Sequence, residues 1–286
     1  MYGAKDKVNS LKKTLNIRGN VIDLTNPAAM GIMNLTTDSF YAGSRFQEDE
    51  EIIRQAKKIL AEGATFLDLG GYSSRPGAQD ISEGKELAQV VHGIRLILGE
   101  FPDANISVDT FRASVAYAAV QAGASMINDI SGGELDTRMF SVVAELQVPY
   151  VLMHMRGTPQ TMKSMAVYDD MLLEIMDYFQ RKVDQLNALK VKDIIIDPGF
   201  GFAKSIDQNY ELLKNLNYFT ILNLPLLVGI SRKSLIYKKL GIDIEEALNG
   251  TSVLNTIALM HGASILRVHD VKEALQTIKL FKLTTS

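Results

Sequence analysis

The 286-residue sequence contains no cysteine. Disulfides, thiolate nucleophiles and zinc–sulfur sites are thereby excluded, and a reducing cytosol is compatible with the composition. Neither sign of charge dominates: 30 Lys plus Arg stand against 33 Asp plus Glu, a formal net charge of −3. The electrostatic footprint of a nucleic-acid or anionic-membrane binder is missing, so any bound anion has to be met by locally placed groups. No stretch reaches about 18 apolar residues, and the opening Met1-Tyr2-Gly3-Ala4-Lys5-Asp6-Lys7 lacks the apolar core of a signal peptide. The expectation is a cytoplasmic protein with no nucleic-acid and no membrane partner. G-x-G-x-x-G, P-loop, H-E-x-x-H and G-x-S-x-G motifs are also absent, which removes support for nicotinamide, NTPase, zincin and α/β-hydrolase chemistry.

Hydrophobic residues make up 47% of the chain and charged residues 22%, enough for a sizeable buried core. Eight short apolar runs without polar alternation read as strands buried on both faces of a parallel sheet. They are Ala29 to Asn34, Thr65 to Gly71, Asn105 to Thr110, Ser125 to Ile130, Pro149 to Met155, Asp193 to Pro198, Leu226 to Ser231 and Ser264 to His269. Helix-length segments with apolar residues three and four apart lie between them: Glu50 to Glu62, Glu83 to Leu98, Phe111 to Gln121, Met171 to Leu189 and Glu245 to Met260. Gly63, Gly123 and Gly262 follow predicted helices, where a left-handed residue turns the chain toward the next strand. No linker or repeat interrupts the series, so the predicted architecture is a single (β/α)8 TIM barrel spanning residues 1–286. Residues 1–27 form an N-terminal extension in which Leu15 to Arg18 and Val21 to Leu24, around Gly19-Asn20, are predicted to pair as a hairpin closing the barrel bottom.

Active sites of such barrels lie at the C-terminal strand ends. Here those ends carry Asn34, Asp68, Asp109, Asn128, His154, Asp197, Ser231 with Lys233, and Arg267 with His269. Asp68, His92, His154 and His261 read more simply as helix caps or satisfied buried polar groups. The others suggest a ligand with a donor/acceptor edge at one end and an anion at the other. A Schiff-base aldolase also suits a barrel but wants its lysine desolvated within a strand, whereas Lys233 follows a strand exit.

Eight segments carry a family resemblance in order along the chain. They are M-G-I-M-N-L-T-T-D-S-F (30–40), L-D-L-G-G-Y-S-S-R-P-G-A (67–78), S-V-D-T (107–110), I-N-D-I (127–130), L-M-H-M-R-G-T-P (152–159), D-P-G-F-G-F (197–202), S-R-K-S (231–234) and R-V-H-D-V (267–271). Together they resemble dihydropteroate synthases. The resemblance implies a transferase that joins 6-hydroxymethyl-7,8-dihydropterin pyrophosphate to para-aminobenzoate in folate synthesis, with Mg²⁺ as cofactor, sulfonamides as inhibitors and a homodimer as the assembly.

It implies pterin binding by Asp109, Asn128, Asp197, Lys233 and Arg267, since carboxylates suit the amino and ring N–H groups of the pterin edge. Asn34, Arg75, Arg267 and His269 would surround the pyrophosphate, with Asn34 supplying an amide oxygen to the metal. Ser74, Arg75, Pro76, Phe202, Ser231 and Lys233 would form the para-aminobenzoate site, although Phe202 reads equally well as core packing. The catalytic set is Arg75, Asp109, Lys233, Arg267 and His269. Three positions depart from the family pattern: Thr37 replaces the usual proline, Tyr72 the usual glutamate, and Ala203 a common third glycine. Two other readings are a methyltetrahydrofolate:corrinoid methyltransferase, which has no use for a pyrophosphate clamp, and a non-catalytic pterin-binding paralogue, which could lose Asn34 or His269.

Overall fold

The computed structural model describes residues 13–35, 45–72 and 81–285. Strands β1 (Thr14–Ile17) and β2 (Asn20–Asp23) form an antiparallel hairpin. Eight parallel strands follow: β3 (Ala28–Asn34), β4 (Phe66–Gly70), β5 (Ile106–Asp109), β6 (Met126–Asp129), β7 (Tyr150–Met153), β8 (Ile194–Asp197), β9 (Leu227–Val228) and β10 (Ile265–Val268). They are ordered β8-β7-β6-β5-β4-β3-β10-β9, and an Ile196–Leu226 bridge brings the two outer strands together into a TIM barrel. The described helices on its outside are α1 (Arg45–Ala61), α2 (Glu83–Glu100), α3 (Ala113–Gln121), α4 (Met139–Leu146), α5 (Met171–Ala188), α6 (Ile206–Lys214), α7 (Ser234–Leu240), α8 (Leu248–Met260) and α9 (Val271–Thr285). None is long and apolar enough to cross a membrane.

Successive strand residues face opposite sides, and the side chains sort accordingly. Leu67, Leu69, Val108, Ile127, Leu152, Ile196, Val228 and Leu266 face outward into the strand–helix core. Met30, Phe66, Met126, Val151, Ile195, Leu227 and Ile265 fill the lower barrel interior, where Leu15, Ile17 and Leu24 of the hairpin segment close it from below. One layer higher the inward series turns polar: Asp68, Ser107 and Asn128 are buried there, with Asp197 and Arg267 from the same inward faces. The site is thus the upper continuation of the barrel core.

Several boundaries differ from the sequence-based expectation. The hairpin turns at Arg18-Gly19, one residue early, because both adopt positive φ (51° and 83°) and Asn16 Oδ1 accepts the Gly19 N–H. The segment expected as one helix from Glu245 starts as a 3-10 turn (Ile244–Ala247), capped reciprocally by Asp243 and Glu246, before α8 begins. Strand β9 has only two ladder residues because the chain turns at Gly229–Ser231 toward α7. The three predicted glycine caps do adopt positive φ, at 98°, 113° and 97°.

Candidate active site

Arg267 organises the barrel mouth. Its Nε donates to Asp68 Oδ2 at 2.5 Å and its Nη2 to Asp109 Oδ2 at 2.6 Å, so one guanidinium ties β10 to β4 and β5. Asp68 is fully buried and also accepts from Ser107 Oγ (2.6 Å) and Asn128 Nδ2 (3.0 Å). It therefore orients Arg267 and Asn128 without itself facing the opening, in keeping with its reading as a satisfied buried group. One N–H of Asn128 is committed to this bond, leaving its amide oxygen and second N–H.

Asp197 ends β8, with Oδ1 accepting from Gly199 N at 2.8 Å. Burial raises its pKa, while Lys233, the Gly199 N–H and Arg267 pull it down. Burial likewise raises Asp109, opposed by Arg267 and reinforced by Asp68. Lys233 is pushed down to about 8 by burial, with Asp197 pulling it back up. Its Nζ donates to Phe200 O and lies 4.7 Å from the centroid of the Phe202 ring. Phe202 is half-buried at the edge of a cluster of Ile130, Met153, Met155, Met162 and Ala203, so it packs and faces the mouth at once. Arg267 is held charged: burial works against it, but Asp68 and Asp109 outweigh that penalty.

Ser231 and His269 meet where β9 and β10 leave the barrel: Ser231 Oγ lies 3.1 Å from His269 Nδ1 and accepts from His269 N at 3.2 Å. Asn34 is exposed at the end of β3, its Oδ1 close to Gly70. Described residues thus place Asn34, Asp109, Asn128, Asp197, Phe202, Ser231, Lys233, Arg267 and His269 at one barrel end. Ser74, Arg75, Pro76 and the Thr37 departure lie outside the described residues.

Two ion pairs that shape the site escaped the sequence reading. Arg232, at φ 52°, clamps Asp270 with Nε and Nη2 at 2.8 Å each, fixing the Ser231-to-Lys233 turn to the His269 strand exit. Glu86 of α2, fully buried, accepts from Thr110 Oγ1 at 2.6 Å and Arg112 Nη1 at 2.6 Å, which anchors the chain just after Asp109. An S-R-K-S or S-V-D-T string carries no sign of a partner that lies 38 or 24 residues away. The histidines read as structural divide: His154 is buried and kept neutral by burial and Lys204, and His261 Nδ1 meets Leu213 O at 2.9 Å. His92 is instead an exposed partner of Asp49.

A family model described as "Pterin binding enzyme" matches residues 30–269. Escherichia coli (strain K12) dihydropteroate synthase is 39% identical over 272 residues, covering 94% of this chain and 95% of that protein. The chain belongs to the dihydropteroate synthase family. The Synechocystis dihydropteroate synthase is 43% identical over 88% of each chain. Among solved structures, a Yersinia pestis dihydropteroate synthase in a sulfonamide drug complex superposes with TM-score 0.88 at 38% identity, covering 95% of this chain and 99% of that one. A Xanthomonas albilineans dihydropteroate synthase with 4-aminobenzoic acid gives TM-score 0.87 at 34% identity, covering 96% and 98%.

Two departures from the dihydropteroate synthase pattern are visible. Tyr72 is buried, stacks edge-on against Phe111 with centroids 5.1 Å apart, and accepts from Gln160 Nε2 at 2.9 Å, linking the β4 exit to the segment after β7. Ala203 has φ 47°. A glycine would reach that left-handed conformation without the steric cost that the alanine Cβ carries.

Proposed function

We propose that the mouth residues divide the dihydropteroate synthase reaction among three adjoining subsites. The observation that supports this most is the convergence of Asp109, Asn128, Asp197, Lys233 and Arg267 on one rim, with acceptors and donors interleaved. Asp197 keeps Oδ2 for a pterin N–H, Asn128 offers an oxygen and an N–H to the same edge, and Lys233 can turn from Phe200 O to a ring acceptor. Arg267 lies between the pterin carboxylates and the rim where Asn34 and His269 would meet the diphosphate. Phe202, the Lys233 stem and Ser231 would receive the aromatic amine and its carboxylate.

No protein nucleophile is required. The C–O bond to diphosphate breaks first, and the neutral aniline nitrogen then forms the new C–N bond and loses a proton to solvent. Electron donation from the dihydropterin ring supports the cationic methylene carbon between these events. Arg267 and His269 stabilise the charge gathering on the leaving group. Asp109 and Asp197 hold the pterin so that its methylene faces the amine. Release of pyrophosphate only when both the pterin pyrophosphate and para-aminobenzoate are supplied is the expected assay result. Turnover of either substrate alone would refute this division of roles.

The donor set fits Mg²⁺. Among the described residues no three acidic or histidine side chains gather as metal ligands. Asn34 supplies one hard oxygen at the diphosphate end, and Mg²⁺ ordinarily completes its shell with phosphate oxygens and water. Bound there, it would neutralise charge on the diphosphate. Chelation with excess EDTA is expected to abolish turnover and added Mg²⁺ to restore it, whereas full activity in EDTA would remove the metal from the scheme.

A homodimer through the later helices also belongs to this reading. Val253 and Met260, seven residues apart on α8, are 51% and 69% exposed, and Leu240 at the end of the adjoining α7 is 60% exposed. Wild-type protein is expected to show twice the 31.6 kDa chain mass by light scattering. The Val253→Glu/Met260→Glu variant should show the single-chain mass. A wild-type monomer would overturn the dimer.

A further inference from the structure

The D-P-G-F-G-F segment after β8 rests on a lysine that none of the roles above employs. Lys204 is 9% exposed, and its Nζ donates to Gly199 O and Phe202 O and meets His154 Nδ1, each at 3.1 Å. The segment needs such contacts. Gly199, Gly201 and Ala203 have φ of 73°, 81° and 47°, so the chain zigzags through left-handed residues and its carbonyls point away from any ladder partner. At Gly199 a Cβ would stand 2.1 Å from His154 O, so the loop is pressed directly onto the end of β7.

The contacts form a short mechanical path to the site. Gly199 donates its N–H to Asp197 Oδ1 at 2.8 Å while its carbonyl accepts from Lys204, so both ends of one residue are held. Asn209 Oδ1 accepts from Gly201 N at 2.7 Å, Tyr168 OH donates to Ala203 O at 2.9 Å, and Lys233 reaches Phe200 O from the mouth side. Lys204 spans the segment from Gly199 O to Phe202 O. Burial pushes its pKa down to about 7, against the pull of Asp197 and with Lys233 and Arg156 adding to the depression. An apolar residue of similar volume would avoid that desolvation but would leave Gly199 O and Phe202 O without this donor.

We propose that Lys204 is a positioning residue for the reaction: by gripping Gly199 O and Phe202 O against His154, it sets the direction of the Asp197 carboxylate and the height of the Phe202 ring at the mouth. This rests on the reading of Asp197 as a pterin acceptor.

Lys204→Met preserves length and volume while removing charge and donors. The full-length variant is expected to raise KM for the pterin substrate about tenfold with kcat within about threefold of wild type, because a misdirected acceptor weakens substrate and transition state alike. Pterin affinity by calorimetry should fall by the same factor. If Lys204→Met does not fold, Lys204→Gln, which keeps a donor for one carbonyl, is measured in the same way. A folded variant with a lower melting temperature but pterin KM and affinity within about twofold of wild type would make Lys204 a structural residue and overturn the proposal. Loss of kcat at unchanged KM would overturn it too, by placing the lysine in the chemical step. Failure of the underlying reading shows elsewhere: wild-type protein would yield no dihydropteroate, or Asp197→Asn would bind pterin as wild type does.

Discussion

Asp68→Ala is expected to lose about 3–5 kcal/mol of folding stability, the usual result of removing one partner from a buried charged pair. Three donors converge on this buried carboxylate: Ser107 Oγ, Asn128 Nδ2 and the partly buried Arg267 Nε. Each donor left without an acceptor costs about 1–3 kcal/mol. Charge balance adds to the penalty. Asp68, Asp109 and Asp197 stand among Arg267, Lys233 and Lys204, and deleting one acid removes negative charge from beside these cations in a largely buried cluster. A loss of this size is a fifth or more of the roughly 5–15 kcal/mol that holds an ordinary domain together. Urea denaturation measures it directly, and a change below about 1 kcal/mol would show that the surrounding donors find other partners. Folded Asp68→Asn should be intermediate, because one amide oxygen serves part of the network while the amide N–H group faces donors.

Asp197→Asn is expected to weaken pterin binding by about 2–3 kcal/mol, roughly 30- to 150-fold. The substitution hardly changes volume, so the effect comes from hydrogen-bond polarity and from the lost charge beside Lys233 and Arg267. Because Oδ1 already accepts from Gly199 N, an asparagine that preserves this bond must turn its amide N–H group toward the mouth. A pterin N–H would then meet a donor instead of an acceptor. Calorimetry with a non-hydrolysable pterin pyrophosphate analogue gives the affinity. Binding within about twofold of wild type, with the variant folded, would remove Asp197 from the pterin contacts.

The barrel itself was legible in the chain. Runs such as Ile194-Ile195-Ile196 are apolar at every position because one face packs on helices and the other on the barrel interior, and that pattern survives without any knowledge of neighbours. Glycine caps were legible for the same reason: a left-handed residue at Gly63, Gly123 or Gly262 is a local backbone requirement. The polar strand ends were legible too: Asp109, Asn128, Asp197, Lys233, Arg267 and His269, each read from a strand end, gather at one end of the barrel.

Partnerships were decided only by the tertiary structure. Whether Asp68 faces the ligand or supports Arg267 depends on a contact spanning 199 residues, and no spacing along β4 encodes it. The pairings of Glu86 with Arg112, Arg232 with Asp270 and Lys204 with Gly199 arise in the same way, from strand register and loop direction. The hairpin register turned on a single residue, since Arg18 takes a left-handed conformation that Asn16 and Gly19 stabilise together. Sequence alone thus determined the barrel and the chemical types gathered at its mouth, because periodicity and backbone sterics act locally. Closure of the barrel determined which of those groups face its mouth and which hold the others in place, because side-chain direction is set by neighbours distant along the chain.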